Sequence, residues 1–373
     1  MKLGIIMKHF ALFFMLLVPM TMSAQKQYFL PTGDGSMDEK ERPLIEVYLP
    51  KQELANGCAV VLCPGGAMRW LSWESDVIKM ATFLNERGIA AIGLRYHLNK
   101  GGGQMPQGAK MPPMVDVTHP DQFPQADANP MHFAYGDSII RLAAEDAQAA
   151  IRMVREHADE WHISKDKIGF LGFSAGGGVA IAATMSADEI ERPDFLCTNF
   201  GPSLMPVTVP KNAPPLLIMT RVDHPNVAAG LVALFMEWKK AGANAELHMY
   251  GDGKGPYELM PETGETTTET WSTQLIQWLK AKGLIKELTF ANMAGIYDDE
   301  KQESRFCLNE DGTATWGMIG SLHFTEYTYT INGNTICLKP KDVESEDDCY
   351  EYDENTRTLK NEQGTVYYRQ VVE

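Results

Sequence analysis

The feature that most constrains the fold of this chain is a short segment near its middle, residues 167–177, with the sequence KIGFLGFSAGG. An apolar run typical of a buried strand leads into Ser174, which has Gly172 two places before it and Gly176 two places after it. A run of small residues follows. Glycines two places before and after a serine remove side chains that would collide where a strand turns sharply into a helix. The pattern predicts a strand, a tight turn and a helix, with Ser174 exposed at the turn as a nucleophile.

A second glycine-containing loop lies upstream, where residues 60–67, VVLCPGGA, indicate a strand that runs into a Gly-Gly turn. Acyl transfer needs hydrogen-bond donors for the negative charge that develops on the carbonyl oxygen of the tetrahedral intermediate. Backbone N–H groups in a loop with few side chains are suited to that task. We therefore predict an oxyanion hole made by the N–H of Gly66 or Ala67 together with the N–H of Ala175.

The pattern of apolar residues divides the chain beyond residue 24 into two regions. Strand-like and helix-like segments alternate from about residue 44 to residue 284, which predicts a doubly wound, mostly parallel α/β sheet. Beyond that point the chain becomes short alternating segments with hairpin signals such as Asn332-Gly333. We predict an α/β domain at residues 25–286 and a small all-β domain at residues 287–373.

The all-β region is rich in aromatic residues. We favour the interpretation that they form the packed face of a sheet, because cross-strand aromatic pairs are ordinary sheet stabilisers. The alternative is a platform on which a sugar stacks. The residues concerned are Trp316, Phe324, Tyr327, Tyr329, Tyr350, Tyr352, Tyr367 and Tyr368.

The first 24 residues have the composition of an export signal. Lys2 and Lys8 precede an apolar run at residues 10–20, and the small residues Ser23 and Ala24 after it suit a cleavage site. The run is too short for a comfortable membrane span. We expect cleavage near Ser23 or Ala24, export to a bacterial periplasm or beyond, and no stable membrane span afterwards. The alternative is an uncleaved membrane anchor.

Charge and cysteine content exclude several classes of function. The 33 basic and 49 acidic residues give a formal charge of −16, which repels nucleic acid and anionic membranes and suits an uncharged substrate. Three of the six cysteines lie in each region, so pairing within the regions leaves one cysteine free in each. The spacing of the cysteines does not resemble a zinc site. We expect no metal and no other cofactor. The cysteines are Cys58, Cys63, Cys197, Cys307, Cys337 and Cys349.

Four motifs together carry a resemblance to a known family. They are residues 63–76 (CPGGAMRWLSWESD), 93–96 (GLRY), 166–177 (DKIGFLGFSAGG) and 214–219 (PPLLIM), the last leading to Asp223. In combination they resemble the α/β-hydrolase superfamily, most closely its acetyl-xylan-esterase-like and feruloyl-esterase-like carbohydrate esterases. The resemblance covers about residues 44–284. It implies hydrolysis of acetyl or related esters on plant polysaccharides by a serine, histidine and acid triad without metal. The all-β region loosely resembles lipocalin-like appendages on exported bacterial proteins.

The resemblance assigns two members of the triad. Ser174 matches the nucleophile and Asp223 matches the acid, in the chain order of this fold; the alternative role for Asp223 is a helix N-cap. The family places its histidine in a Gly-His-Gly-aromatic run, and here residues 250–257 are YGDGKGPY, so that position falls on Gly255. Lys254 beside it acts as a base only if its pKa falls several units.

Other histidines are candidates for the missing base. His119 and His132 lie in a Gly-, Pro- and Met-rich insertion at residues 98–137, which follows a strand end and is suited to form a lid. His224 adjoins Asp223, although a surface position is the simpler interpretation. His248 lies within a strand pattern and is interpreted as a structural residue.

Two functional hypotheses follow from these residues. The first is a secreted serine ester hydrolase acting on acylated, foremost acetylated, polysaccharide or oligosaccharide, with Ser174, Asp223 and an unidentified base. The second is a catalytically impaired relative that binds carbohydrate; a third, which we rank last, places the function in the β region. Trp70 and Trp73 either stack on a sugar or pack in the core.

Overall fold

A computed structural model of the protein describes residues 26–32, 42–99, 127–129, 137–222, 224, 227–251, 256–285, 293–332, 335–341, 347–353 and 356–370. Within these residues the chain forms an eight-stranded sheet and a closed eight-stranded barrel that share no strand. This topology confirms the predicted α/β fold followed by a small all-β region. The predicted export signal at residues 1–24 and the predicted boundary between residues 286 and 287 lie outside the described residues.

The first sheet has the strand order β1-β2-β4-β3-β5-β6-β7-β8. Pairing is antiparallel from β1 to β2 and from β2 to β4, and parallel between all later neighbours. The strands are β1 (Lys26–Phe29), β2 (Leu44–Tyr48), β3 (Ala59–Cys63), β4 (Ala90–Arg95), β5 (Ile168–Phe173), β6 (Phe195–Asn199), β7 (Leu216–Arg221) and β8 (Ala245–Tyr250).

In the described part of the chain, five α-helices accompany this sheet. They are α1 (Met80–Asn85), α2 (Asp137–Glu156), α3 (Ala175–Ser186), α4 (Val227–Lys240) and α5 (Trp271–Ala281). Short 3₁₀ turns lie at Gln52–Leu54 and Thr267–Thr270. Among the described residues, no helix combines the length and the apolar character that a membrane span requires.

Two local features differ from what the sequence pattern predicts. Strand β1 was not predicted, because its side chains are mostly exposed at the sheet edge and show no apolar periodicity. The helix-like segment between β3 and β4 begins as a π-helix, Glu74–Lys79, before it continues as α1. Such wide turns occur frequently at functional sites.

The strand order places a crevice at the carboxyl ends of β3 and β5. From β3 the chain crosses to β4 on one side, whereas from β5 it crosses to β6 on the other side. In open α/β sheets, connections that leave neighbouring strands in opposite directions open a crevice at the carboxyl edge, and ligands bind there. Both strands are buried along their whole length, which fixes this edge within the core.

The barrel is antiparallel throughout and closes by pairing its first and last strands, β9 and β16. Full closure removes the exposed edges that an open sheet presents to other chains. Its strands are β9 (Gly295–Asp299), β10 (Ser304–Leu308), β11 (Thr313–Met318), β12 (Thr325–Asn332), β13 (Thr335–Pro340), β14 (Asp348–Asp353), β15 (Thr358–Asn361) and β16 (Val366–Arg369).

Most aromatic residues of the barrel pack against one another inside it. The ring of Phe306 lies 4.8 Å from that of Tyr367 and 5.2 Å from that of Tyr350, measured between centroids. Of the eight aromatics considered in the sequence, Phe324 and Tyr368 are exposed, Trp316 and Tyr327 are half-buried, and the rest are buried. The structure therefore agrees with the packed-face interpretation for most of the set.

One disulfide joins neighbouring strands of the barrel. Cys337 on β13 and Cys349 on β14 are register partners, and their sulfur atoms are bonded. Cys307 on β10 is a free thiol, as are Cys58, Cys63 and Cys197 in the first sheet region. The sequence left the pairing open, and the structure assigns it.

Replacing Cys337 and Cys349 together by alanine is expected to lower the free energy of unfolding of the barrel by about 2 to 3 kcal/mol, because the bond closes a short loop in the unfolded chain. Calorimetry of the variant and of the wild type without reductant measures this loss. Cys307→Ala is the matched control, since it removes a thiol that forms no bond, and it should leave the melting temperature nearly unchanged. Equal melting for wild type and double variant would contradict the assignment.

Candidate active site

Ser174 occupies the sharp turn between β5 and α3, as the sequence predicts. Its backbone angles, φ 51° and ψ −122°, are sparsely populated for residues with a side chain, and such strain is concentrated at functional sites. Its N–H donates to the carbonyl of Asn199 at 3.0 Å, and its own carbonyl accepts from the N–H of Gly177 at 2.9 Å. These two bonds hold the strained turn, and the serine side chain remains partly exposed.

Three glycines make the turn sterically feasible. A Cβ placed on Gly176 would lie 2.0 Å from the carbonyl oxygen of Cys63, and one on Gly172 would lie 2.5 Å from the Cα of Gly177. A Cβ on Gly177 would lie 2.3 Å from Oγ1 of Thr198. The start of α3 therefore lies directly against the ends of β3 and β6, which leaves no room for side chains.

The Gly-Gly loop after β3 lies beside Ser174. A Cβ on Gly65 would lie 3.2 Å from Cβ of Ser174. The next three residues, Gly66, Ala67 and Met68, have φ values of 134°, 51° and 59°. Two successive residues with side chains in this left-handed region are costly, so neighbouring contacts must hold the loop in place.

Hydrogen bonds to the loop carbonyls set the direction of its N–H groups. The carbonyl of Gly65 accepts from Ser72 N–H at 2.9 Å, and that of Gly66 accepts from Arg69 N–H at 2.9 Å. In a trans peptide the following N–H points opposite to the carbonyl, so the N–H groups of Gly66 and Ala67 point away from the turn at residues 69–72.

The three predicted oxyanion donors are available. Within the described residues, the N–H groups of Gly66, Ala67 and Ala175 donate to no protein acceptor. Ala175 is the first residue of α3, where the N–H groups lack intrahelical partners and the helix dipole favours negative charge. Donors of this kind, in a loop and a helix terminus that both adjoin Ser174, meet the requirement for an oxyanion hole.

Of the three histidines considered as bases, only His224 lies within the described residues, and Asp223, His119 and His132 lie outside them. The His224 ring stacks at 6.4 Å on Phe200, which directly follows β6. The backbone carbonyl of His224 accepts from the N–H of Ala228 at the start of α4. His224 is thus placed at the same edge of the sheet as the turn. In the described part of the chain, Oγ of Ser174 has no hydrogen bond to an imidazole.

His248 lies on β8 with its Nε2 at 2.7 Å from Oε1 of Glu246. Both side chains are partly exposed on the last strand of the sheet, which fits the structural role inferred from the sequence. Lys254 and Gly255, at the position where the family has its histidine, lie outside the described residues.

A buried acid that the sequence analysis missed anchors the segment after β4. Asp146 on α2 is fully buried and accepts from Thr32 Oγ1 at 2.5 Å and from His97 N–H at 2.7 Å. It also contacts Nδ1 of His97 at 2.7 Å, and this hydrogen bond raises the pKa of the imidazole. The available signal was an acid on the apolar side of α2, between Ala143 and Ala150.

The same segment also supports the Gly-Gly loop. The hydroxyl of Tyr96 donates to the carbonyl of Pro64 at 2.6 Å, and the N–H of Asn99 donates to the carbonyl of Met68 at 2.6 Å. The loop is therefore held at both of its ends by residues that follow β4.

The two tryptophans considered for sugar contact have different environments. Trp70 is 57% exposed. Its backbone lies against the Gly-Gly loop, since a Cβ built on Gly66 would lie 2.0 Å from the carbonyl oxygen of Trp70. Trp73 is half-buried, with the guanidinium of Arg95 at 3.9 Å from the centroid of its ring. Trp70 is therefore the one whose ring faces solvent beside the site. Among the described residues, no group of three or more His, Cys, Asp or Glu side chains is arranged to hold a metal ion.

Sequence comparison relates the central part of the chain to esterases. The family model described as BD-FAE matches residues 125–205. An acetylxylan esterase of Xylanibacter ruminicola is 28% identical over 184 residues, which is 48% of this chain and 29% of that relative. The matched region thus spans less than a third of the relative's length.

Structure comparison gives the fold. Esterase 2 of Thermogutta terrifontis, phosphorylated by paraoxon, matches 72% of this chain and 97% of its own, with 20% identity and a TM-score of 0.50. An acetyl ester-xyloside bifunctional hydrolase of Caldicellulosiruptor lactoaceticus matches 69% of this chain and 93% of its own, with 20% identity and a TM-score of 0.49. The first region has an α/β-hydrolase fold, and its sequence is similar to that of an acetylxylan esterase.

Gly176→Val and Gly172→Val are expected to lower the free energy of unfolding by more than about 3 kcal/mol, because each new side chain would overlap backbone atoms. Ser174→Ala is the matched control in the same turn. It should change stability by less than about 0.5 kcal/mol, since Ser174 Oγ bonds to no described residue. Thermal melting of the purified variants measures both effects. A large loss for Ser174→Ala, or none for the glycine variants, would contradict the geometry described.

Proposed function

We propose that the protein is an exported serine carboxyl-ester hydrolase that acts on an acylated saccharide, with an acetyl ester as the first candidate. The observation that carries the proposal is the strained backbone of Ser174, placed beside a loop whose N–H groups lack acceptors among the described residues. Such strain is kept where the surrounding structure over-determines it, and here the surroundings supply N–H groups of the kind that stabilise the oxyanion in acyl transfer.

The chemistry follows from this arrangement. Oγ of Ser174 attacks the acyl carbon while a base accepts its proton, and the carbonyl oxygen becomes negatively charged. The N–H groups of Gly66, Ala67 and Ala175 stabilise that charge. When the intermediate collapses, the bond between the acyl carbon and the sugar oxygen breaks, and that oxygen takes the proton from the base and leaves as a hydroxyl. Water then hydrolyses the acyl-serine by the same route, which releases the acid and restores the serine hydroxyl.

The base is the remaining member of the site. We propose Asp223 as the acid that orients it, and His224, His132 and His119 as candidates for the base itself. His224 has the support of its ring contact with Phe200, next to the strand end that binds the Ser174 N–H. The proposal needs one imidazole to reach Ser174 Oγ, since the position used by the family is Gly255.

A saccharide substrate is supported by one exposed side chain and by the charge of the chain. Trp70 presents an aromatic face to solvent on the loop that adjoins Ser174, and such faces bind apolar surfaces with a polar margin, as sugar rings have. The formal charge of −16 favours an uncharged polymer over an acidic one. The similar acetylxylan esterase agrees with an acetylated plant polysaccharide.

The alternative is a carbohydrate-binding relative without turnover. It is favoured by Gly255, which stands at the position where the family has its histidine. In that case the loop and Trp70 would bind the saccharide while the acyl group stays in place. Export, which both versions share, rests on the composition of residues 1–24.

The wild-type protein is expected to react with a fluorophosphonate probe and to hydrolyse p-nitrophenyl acetate between roughly pH 6 and pH 9, where a histidine base works. Ser174→Ala should lose both reactions. Labelling detected by in-gel fluorescence and turnover measured by absorbance give the two readouts. Binding of acetylated xylo-oligosaccharide with neither labelling nor turnover would support the carbohydrate-binding alternative and contradict the proposed ester hydrolysis.

Trp70→Ala is expected to raise KM for an acetylated xylo-oligosaccharide about 5-fold, because one stacking contact is worth about 1 kcal/mol. KM for p-nitrophenyl acetate, which has no sugar, should stay the same. Met236→Ala is the control, since Met236 is a similarly exposed apolar residue on α4. Steady-state kinetics on both substrates decide the point, and equal effects of Trp70→Ala on the two would count against a sugar contact.

A further inference from the structure

A buried carboxylate that the proposed reaction does not use lies directly behind the Gly-Gly loop. Asp76 is 4% exposed and belongs to the π-helix that precedes α1. Its Oδ2 accepts from the N–H of Gly65 at 2.8 Å, and its Oδ1 accepts from the hydroxyl of Ser75 at 2.6 Å. Burial raises the pKa of the carboxyl, because it disfavours the charged form, and the hydrogen bonds from Ser75 and Gly65 oppose this shift.

Asp76 closes a ring of hydrogen bonds around Gly65. The carbonyl of Gly65 accepts from Ser72 N–H at 2.9 Å, and the carbonyl of Ser72 accepts from Asp76 N–H at 3.0 Å. Both backbone groups of Gly65 are therefore bound by the turn that follows the loop. The carboxylate is the charged member of this ring, and hydrogen bonds to a charged acceptor are roughly twice as strong as neutral ones.

The position of Gly65 links this ring to the nucleophile. The point where a Cβ of Gly65 would lie is 3.4 Å from Oδ2 of Asp76 and 3.2 Å from Cβ of Ser174. Gly65, whose N–H binds Asp76, therefore lies close to both the carboxylate and the serine. A rotation of the Gly65 peptide would displace Gly66 and Ala67, whose N–H groups are the proposed oxyanion donors.

We propose that Asp76 is a positioning residue, which holds the Gly65 peptide so that the N–H groups of Gly66 and Ala67 remain directed to the oxyanion hole. It acts through the backbone and does not touch the ester. Its catalytic consequence rests on the proposed function, whereas the holding of the loop can be observed without any reaction.

Three variants separate positioning from general stability. Asp76→Asn keeps an acceptor for Gly65 N–H and can donate to Ser75 Oγ, whereas Asp76→Leu has a similar shape and keeps neither bond. The control is Asp194→Leu. Asp194 Oδ2 also accepts a backbone N–H, that of Ile168 at 2.8 Å, and burial also raises the pKa of its carboxyl. Ile168 begins β5, at the end of the strand opposite to Ser174.

The readouts are the second-order rate of labelling by a fluorophosphonate, kcat and KM for p-nitrophenyl acetate, and hydrogen exchange of the peptide that covers residues 64–72. Asp76→Leu is expected to lower the labelling rate and kcat about 100-fold with little change in KM, as loss of one oxyanion donor does. Exchange at residues 64–72 should become faster. Asp76→Asn should stay within about 5-fold of the wild type, because its hydrogen bonds are neutral but intact.

Asp194→Leu is expected to lower the melting temperature while it leaves labelling, kcat and exchange at residues 64–72 unchanged. Where Asp76→Leu does not fold, Ser75→Ala takes its place. It removes the bond from the Ser75 hydroxyl that orients the carboxylate, together with the longer contact of the same hydroxyl with the carbonyl of Ser72 at 3.3 Å. It should lower the labelling rate about 3-fold in a folded protein.

Wild-type labelling rates in Asp76→Leu, or equal losses in Asp76→Leu and Asp194→Leu, would overturn the positioning role. A wild-type protein that neither labels nor turns over overturns the proposed function instead. Exchange at residues 64–72 then decides the role of Asp76, and unchanged exchange in Asp76→Leu refutes it.

Discussion

The close approach of α3 to the ends of β3 and β6 is the constraint on which the rest of the site depends. Helix α3 can lie there only because Gly176 and Gly177 present no side chains to Cys63 and Thr198. This contact gives the chain too little room for a relaxed turn, and the strain falls on Ser174. The same contact brings the first N–H of the helix beside the loop after β3. The strained position of Ser174 and the position of the Ala175 N–H beside the loop are therefore consequences of one packing arrangement.

In the loop after β3, hydrogen bonds to the carbonyls set the direction of the N–H groups. Each carbonyl at Gly65 and Gly66 is bound by the turn that follows, and peptide planarity then fixes the opposite direction for the next N–H. Residues after β4 hold the loop ends through Tyr96 and Asn99. Hydrogen bonds to the carbonyls thus fix the direction of the N–H groups, which is the preorganisation that the proposed oxyanion hole needs.

The extent to which sequence predicts this molecule depends on how local each determinant is. The elbow, the alternation of strands and helices and the Gly-Gly loop follow from short patterns, because glycine spacing and apolar periodicity act over a few residues. The roles of Asp76 and Asp146 do not, since each depends on a partner brought close by the fold, Gly65 for one and His97 for the other. The disulfide between Cys337 and Cys349 likewise required the register of β13 with β14.

The closure of the barrel has a consequence for the order in which the protein folds. Strand β9 pairs with β16, so the last contact joins the first and last strands of the module. Neighbouring hairpins can form as soon as their residues are synthesised, whereas this pair must wait for the final strand and the loss of entropy in a long loop. Until then the growing module carries two unpaired edges. A nascent or truncated chain that lacks β16 is thereby the form in which this protein is most exposed to edge-to-edge aggregation.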